Sequence, residues 1–476
     1  MLLVTRRMLK RSLQPPGTLS IIAFLLIGLP AFGAERTVEE IIGDYVALGL
    51  RDNLALRSES LTVEQASAAL RAARAQFLPE LGVAARYTRA HGGRAIDIPT
   101  GTVINPVYST LNELLSRQGQ PANFPQIQDE QINFQREREQ ETRLTARQLL
   151  YAPGIAANVR ALDALYQASQ SERVALAREL KRDITVSYLS WLMAHGRRDI
   201  VAAGHVLLQE NLRVNESLSA NGKVTEDRVL RARAELLNVE QQLRDARDGV
   251  SQTRSYCNFL LNRPLEAELE YSDLAAAIEH PAADIPSLQS EALINRPELT
   301  QLAHTVEAAQ QQVNAARASL LPVLSLGIDA GIQGENYGVG PNFNFVTASL
   351  VFTWKIYSGG GVNAQIDSAR AAAQRAELRR SAAAQRVALE VEQTVDRYRT
   401  AEASLATATA RVEAAEAAFR IARRKRDEGM LNQVEFLDAR VEFTDAELNL
   451  NVSRFDVRVR RAELDFATAN GPVPIP

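Results

Sequence analysis

Cysteine is almost absent from this sequence of 476 residues, which contains a single one, Cys257. One cysteine cannot form a disulfide within the chain, and its helical surroundings predict a small core residue. A nucleophile elbow, a phosphate loop and metal-ligand spacing are absent too. The histidines are scattered: His91, His195, His205, His280 and His304. The sequence therefore predicts no enzyme, no cofactor and no metal site.

Proline and glycine are missing from long stretches of the chain. No proline occurs between residues 154 and 263 or between 342 and 471, and 362–428 contains no glycine. Both residues break helices, so their absence permits very long ones. The pattern predicts helices at 36–77, 154–220, 225–262, 286–320, 361–427 and 432–468. The longest would extend roughly 100 Å, which does not suit an ordinary globular domain.

Excess charge of either sign is also lacking, because the formal net charge is −3. The N-terminus reads as a secretory signal peptide, 1–33, with four basic residues, an apolar run and a small-residue cleavage site. A single membrane anchor is the alternative. Removing 1–33 takes away four positive charges and no negative one, which leaves −7. A mildly acidic chain gives no support to nucleic-acid binding.

An internal repeat is present instead. The segments 62–79 and 305–322 share 10 of 18 residues without a gap, 243 positions apart. Each copy ends a helical run with Leu-Pro, and a strand-like alternation follows. The sequence therefore predicts a duplicated chain.

The clearest strand is 344–357, where apolar and mostly polar residues alternate. This alternation fits a strand with lipid on one side and water on the other, and it fits a half-buried strand of a soluble sheet equally well. Partner strands are expected at 80–89, 143–151 and 324–333. Four strands cannot close a barrel alone, so a membrane role requires several copies of the chain.

The two halves differ at 90–142, where the first half has extra residues. Residues 90–130 are rich in proline, glutamine and asparagine, with a short apolar helix-like piece at 111–115. We expect an exposed and partly ordered loop insertion.

These features resemble the TolC-like outer membrane factors, which are outer membrane channels of efflux and secretion systems. The resemblance rests on ARAxxLP at 73–79 and 316–322, NRPEL at 295–299, and the turns YAPG at 151–154 and YSGGG at 357–361. Two helical-hairpin turns, 220–235 and 427–442, also match each other at an offset of 207. The resemblance covers roughly residues 36–471.

The resemblance implies a mainly α fold with a transmembrane β-barrel. Each subunit would contribute long helices to an α-barrel and four strands to a 12-stranded barrel closed by a trimer. The first repeat, 34–280, would contain a helix, a β-hairpin with the inserted loop 90–142, and a helical hairpin at 154–262. The second, 281–476, would contain helix 286–320, a β-hairpin at 323–357 and a helical hairpin at 361–468.

The hairpin turns are expected to form periplasmic tips that contact an adaptor protein. Glycine suits such turns because it accepts left-handed backbone angles. The tip residues are Gly222, Lys223, Val224, Gly429, Met430 and Leu431.

Glu435 and Asp438 lie three residues apart on one predicted helix, hence on one face. The resemblance places them at a pore constriction, where carboxylates from three subunits would attract cations. A solvated acidic face is the alternative. The residues at the tip positions that keep the best-known member of the family closed are different in this sequence. Candidates for a gate latch here are Arg228, Arg231 and Arg426. Arg228 and Arg231 occupy the first-hairpin positions that match the acidic pair.

The function implied is a passive channel of a tripartite efflux or type I secretion system. It would span the outer membrane of a Gram-negative cell, extend into the periplasm, and work with an adaptor and an inner-membrane pump. The alternative is a secreted, soluble coiled-coil structural or adaptor protein.

Overall fold

The computed structural model describes residues 36–273 and 284–473. The expected signal peptide at 1–33, His280 and the boundary between the repeats at 280/281 lie outside the described residues.

Long helices dominate the described part of the chain, and strands form a smaller unit. In chain order the elements are α1 (Val38–Asp52), α2 (Leu54–Ala75), β1 (Glu80–Arg89), β2 (Ala95–Ile98), α3 (Thr100–Arg117), β3 (Glu130–Asn133), β4 (Arg138–Tyr151), α4 (Pro153–Ala220), α5 (Glu226–Leu260), α6 (Ile285–Asn295), α7 (Pro297–Ala318), β5 (Val323–Gly334), β6 (Asn344–Thr353), α8 (Gly361–Asp427) and α9 (Gln433–Ala467).

Two helical hairpins of nearly equal size extend from the sheet. α4 has 68 residues and α8 has 67, while their partners α5 and α9 have 35 each. α4 packs against α5, α8 packs against α9, and α4 also packs against α9. The two hairpins therefore lie side by side, with α7 in contact with both α4 and α8.

The single helix predicted at 36–77 is two helices, and Asn53 separates them. Asn53 has an extended backbone, with φ −63° and ψ 129°. Its side chain accepts hydrogen bonds from the backbone N–H groups of Ala55 and Leu56 at 2.9 and 3.2 Å. Asparagine is a favoured N-cap residue, so it starts a new helix here.

The single helix predicted at 286–320 is also wrong, because it breaks between Asn295 and Pro297. Proline lacks the backbone N–H that donates a hydrogen bond in the interior of a helix, and it disfavours helical backbone angles in the residue before it. Arg296 accordingly has an extended backbone, with φ −68° and ψ 118°. Pro297 then occupies the first turn of α7, where proline is well tolerated.

Four strands form one antiparallel sheet in the order β1-β4-β5-β6. β4 and β5 join the strands of the two predicted repeats, with Leu144 opposite Ala330 and Ala146 opposite Ile328. Two strand boundaries differ from the prediction: β4 begins at 138 rather than 143, and β6 ends at 353 rather than 357. β1 and β6 are the two edges of this sheet.

The insertion at 90–142 is more ordered than expected. It contains α3, which has 18 residues, and the small two-stranded sheet β2-β3. Asn105 and Asn112 hold the returning segment against α3 by hydrogen bonds to the backbone of Ile127 and Phe124. The sequence pattern missed this because side-chain amides, rather than a buried apolar face, order the segment.

The main core lies where α1 and α4 meet the end of α5. Trp191, Tyr188 and Ile184 are fully buried there, beside Cys257, as predicted for that cysteine. A second cluster surrounds Val387, Val391 and Val395 on α8. None of the described helices combines the length and apolar character that a membrane-spanning helix needs.

Candidate functional site

The four-stranded sheet has one apolar face and one polar face. Residues directly opposite each other in neighbouring strands share a face. Leu81 pairs with Ala146 and Val83 with Leu144, and these rows continue across β5 and β6. The apolar face carries large exposed side chains: Leu81, Val83, Tyr87, Leu144, Ile328, Val346, Leu350 and Phe352. Such a face needs lipid or protein to cover it.

The opposite face holds charged and hydroxyl side chains. Glu141 lies 3.0 Å from Arg86 and 3.3 Å from Arg143, measured between carboxylate oxygens and guanidinium nitrogens. Two rows from Glu141 on the same face, Thr145 lies opposite Asp329, and Asp329 lies opposite Thr347. This face is therefore suited to contact with water.

The first hairpin turn closes α4 with a Schellman motif at Gly222, whose φ is +67°. The Lys223 N–H donates to the Leu218 carbonyl at 2.9 Å, and the Gly222 N–H donates to the Ser219 carbonyl at 2.9 Å. Glycine adopts this left-handed angle without the strain that a Cβ causes. Gly222 and Lys223 are exposed, and Val224 is half-buried.

The second turn repeats the motif at Gly429, whose φ is +74°. The Met430 N–H donates to the Lys425 carbonyl at 2.8 Å, and the Gly429 N–H donates to the Arg426 carbonyl at 2.9 Å. Asn432 then caps α9 by accepting a hydrogen bond from the Glu435 N–H at 2.9 Å. Met430 is 66 % exposed, so this tip presents an apolar side chain at its surface.

Glu435 and Asp438 both lie on an exposed face of α9. The face continues to Glu442 and Asp445, because the four residues follow the spacing i, i+3, i+7 and i+10. Glu442 lies 3.5 Å from Arg411. The other three carboxylates form no ion pair with a described residue. The acidic face is thus longer than the pair identified from the sequence.

The three arginines named as latch candidates have different surroundings. Arg228 and Arg231 are exposed on α5 and form no ion pair with a described residue. Arg426 pairs with its neighbour Asp427 at 2.8 Å. Its guanidinium also lies over the Phe436 ring, 4.0 Å from the centroid. Arg426 is therefore engaged within its own hairpin, unlike the exposed Arg228 and Arg231.

A buried polar seam joins the two hairpins above the tips. We define the seam by three contacts between α4 and α9: Asn211 with Gln433, Gly204 with Arg440, and Gly196 with Asn451. The Gln433 amide donates to the Asn211 side-chain oxygen at 3.4 Å. The Asn451 amide donates to the Met193 carbonyl at 2.9 Å. The first two contacts are seven residues apart on both helices, so they lie on one antiparallel stripe.

Arg440 is the charged residue at the centre of the seam. Its side chain is 4 % exposed, and its nearest carboxylate oxygen, on Glu235 of α5, lies 3.7 Å away. Nε of Arg440 and Nδ2 of Asn211 are buried without a hydrogen-bond partner among the described residues. Desolvation lowers the pKa of Arg440 in spite of the opposing effect of Glu235. The hairpins are thus joined by groups that are only partly satisfied.

The sequence pattern did not predict the seam. The spacing of Gln433 and Arg440 was visible as i and i+7, but polar residues at that spacing are usually assigned to a solvated face. Gly196 and Gly204 were the better signal, because glycine in the interior of a long helix costs up to about 1 kcal/mol relative to alanine. Such a glycine indicates a close approach by another group.

Three of the described histidines pack or pair separately, and His91 is exposed. The His195 ring lies 4.5 Å from that of Trp191 and 5.6 Å from that of Tyr271. His205 approaches Glu240 at 3.6 Å, and His304 approaches Glu307 at 3.5 Å. Within 36–273 and 284–473, no group of three or more His, Cys, Asp or Glu side chains is placed to hold a metal ion.

Comparison by sequence places the second half of the chain among outer membrane efflux proteins. Residues 288–470 match the sequence model of the family described as outer membrane efflux protein. The toluene efflux pump outer membrane protein TtgF of Pseudomonas putida is 27% identical over 169 residues, which are 35% of this chain and 34% of TtgF. The multidrug resistance outer membrane protein MdtP of Escherichia coli is 23% identical over 213 residues, 44% of this chain and 43% of MdtP. The matched stretch thus spans less than half the length of either relative.

Comparison by structure extends the likeness to nearly the whole chain. The outer membrane channel CmeC of Campylobacter jejuni superposes with a TM-score of 0.75. The match covers 90% of this chain and 85% of CmeC, at 18% sequence identity. The fold is therefore the one that TolC-like channels have, as the resemblance implied. The sequence match at residues 288–470 and this shared fold agree with the family resemblance found in the sequence.

Proposed function

We propose that this chain is a passive outer membrane channel of a tripartite efflux or type I secretion system. The observation that carries the proposal is the sheet β1-β4-β5-β6. It has two unpaired edges, an exposed apolar face and a polar face with paired charges. A transmembrane barrel strand combines lipid-facing apolar residues with lumen-facing polar ones in this way.

Three copies close the sheet into a barrel. Backbone groups within a bilayer must be paired, so free edges at β1 and β6 have to be matched by other chains. Three copies of a four-stranded sheet give the 12 strands that the family resemblance implies. The repeats 34–280 and 281–476 then supply two walls per subunit, and the long helices continue the conduit as an α-barrel.

The partners proposed are an adaptor protein, an inner-membrane pump and outer membrane lipid. The chain would span the outer membrane with its sheet and extend into the periplasm with its hairpins. The exposed turns at 222–224 and 429–431 would contact the adaptor. The relatives named as efflux pump and multidrug resistance proteins support efflux. The channel would conduct without chemistry of its own.

The acidic face of α9 forms the constriction in this proposal. Glu435 and Asp438 from three copies would bring six carboxylates towards the axis, where they favour cations and repel one another. Glu442 and Asp445 extend the acidic lining along the helix. Arg228 and Arg231 of one copy are free to pair with the acidic face of the next, which makes them better latch candidates than Arg426.

Membrane fractionation tests the location of the protein. We expect the full-length protein in the outer membrane fraction, extractable by detergent and resistant to high salt. A secreted coiled-coil protein, the alternative, would be recovered from the soluble periplasm. Recovery wholly in that soluble fraction would reject the channel.

Single-channel recording tests the constriction. Glu435→Gln combined with Asp438→Asn should raise conductance or reduce cation preference, because three copies lose six charges. The matched control is Glu413→Gln combined with Glu416→Gln, an acidic pair at the same spacing on α8. If the α9 variant conducts like the wild type while both are correctly inserted, the constriction lies elsewhere.

A further inference from the structure

A cavity of about 580 Å³ lies between α1, α4 and α9, away from the tips and the sheet. Its lining among the described residues includes five cationic side chains and two carboxylates. One wall is apolar and is formed by Val38, Ile42, Leu189 and Phe466. A net positive cavity stands out in a chain whose net charge is negative.

Three of the five cations have carboxylate partners, two of which line the cavity themselves. The Arg458 guanidinium lies 2.8 Å from Glu39, and Nε of Arg461 lies 3.2 Å from Asp465. Arg182 pairs with Asp183 at 2.7 Å and lies over the Phe466 ring, 4.5 Å from its centroid. These contacts hold the lining side chains in place, and each carboxylate neutralises the arginine that it contacts.

Arg178 and Lys181 are different, because neither forms an ion pair with a described carboxylate. They lie three residues apart on α4 and therefore project from one face. Nη2 of Arg178 donates to the Gly471 carbonyl at 3.1 Å, while its Nε is buried without a partner among the described residues. Desolvation lowers the pKa of Arg178, because the opposing effect of Glu298 does not compensate for burial.

We propose that this cavity binds an amphipathic anion, a carboxylate or phosphate attached to an apolar body. The anionic group would lie between Arg178 and Lys181 and complete the contacts that the protein leaves open. The apolar body would lie along Ile42 and Phe466. The volume is in the range of about 300–1,000 Å³ that small-molecule sites occupy.

The bound anion would contact α4 of one hairpin and α9 of the other, away from the two hairpin turns. It would also contact α1. Binding would therefore stabilise the folded chain by mass action. This proposal does not depend on channel activity, because binding and thermal stability are measured without conductance.

Isothermal titration of the full-length protein in amphipol tests the site with three probes: octyl phosphate, octyl glucoside and inorganic phosphate. We expect octyl phosphate to bind about tenfold or more tightly than either of the others, because it alone offers both the charge and the apolar body. Octyl phosphate should also raise the melting temperature. Equal binding of octyl glucoside would show a merely apolar surface, and equal binding of inorganic phosphate a simple anion site. Either result overturns the proposal.

Variants locate the binding. Arg178→Gln and Lys181→Gln should each weaken octyl phosphate binding about tenfold or more. The control is Arg57→Gln, which removes an exposed charge from α2 and should bind as the wild type does. Because Arg178 is partly buried and its variant could fold poorly, the half-buried Lys181 gives an independent test. Unchanged affinity in a folded Lys181→Gln protein would contradict the site.

Discussion

The guanidinium of Arg440 on α9 lies directly on the backbone of Gly204 on α4. A Cβ atom placed at residue 204 would be 2.5 Å from Nη2 of Arg440, which is closer than real contacts allow. The arginine is buried, so it has little room to move aside. The absence of a side chain at 204 is what lets a charged group occupy the boundary between the two hairpins.

Gly204→Ala should therefore destabilise the protein, although alanine favours helices. In an Arg440→Ala background the same change should stabilise, because the obstacle is gone and only the helix preference of up to about 1 kcal/mol remains. Gly249→Ala on α5 is the control, because nothing lies within 4 Å of its added Cβ atom. Denaturant titration in detergent measures all four variants. If Gly204→Ala stabilised the protein as much as Gly249→Ala does, the close contact would be disproved.

The tip glycines should resist replacement by residues with a Cβ atom. Gly222→Ala and Gly429→Ala each force a left-handed backbone angle that costs about 1–2 kcal/mol. Asparagine at the same positions should cost less, because it tolerates these angles better. Hydrogen exchange at the Lys223 and Met430 amides, which close the two turns, reports the effect. Protection that is the same in the alanine, asparagine and wild-type proteins would show that the turns do not depend on glycine.

His195 should make stability depend on pH. Desolvation, assisted by Arg198 and Arg254 and opposed by Asp199 and Glu268, lowers the pKa of His195 below 6.5. As the pH falls through 6.5, the unfolded chain takes up a proton that the folded chain does not, so the folded state loses stability.

Thermal unfolding of the wild type and His195→Asn between pH 8 and pH 5 measures this contribution. The wild type should lose more stability than the variant as the pH falls. His304→Asn, which replaces a half-buried histidine on α7, is the control. Identical pH profiles for the wild type and His195→Asn would contradict the assignment.

The two faces of the sheet should respond differently to one added charge. Leu350 lies on the apolar face, and its neighbour Ser349 lies on the polar face at nearly the same depth. Leu350→Arg should cost about 2–4 kcal/mol in a bilayer, whereas Ser349→Arg should be tolerated. The yield of folded, membrane-inserted protein measures the difference. Equal yields would argue against lipid on the apolar face.

The sequence predicted the elements that depend on local rules. Long stretches without proline and glycine gave α4, α5, α8 and α9 to within two residues at each end. Alternation gave the four strands of the main sheet. The two broken helices show the limit of that approach, because apolar patterns continue on both sides of Asn53 and Arg296. A single residue sets each break, Asn53 by its cap and Pro297 by its ring.

The sites depended on contacts that sequence patterns do not contain. The spacing of Glu435 and Asp438 predicted one exposed face, and the structure has it. The surroundings of Arg426 could not be predicted without the position of Phe436 on the facing helix. The seam required knowing that α4 meets α9 rather than only its own hairpin partner. The cavity between α1, α4 and α9 joins residues 38–42 with 178–189 and 458–470, three segments distant in the chain.

Disulfide cross-linking of the sheet edges tests the central claim that three copies close one barrel. In a Cys257→Ser background, Val83→Cys on β1 is combined in turn with Val346→Cys, Ala348→Cys or Leu350→Cys on β6. Within one copy these strands are separated by β4 and β5, so a disulfide between them must join two copies. Oxidation in isolated outer membranes should give covalent trimers for at least one pair, and reduction should return monomers. Failure of every pair to form an inter-copy disulfide, or products that stop at dimers, would contradict the account.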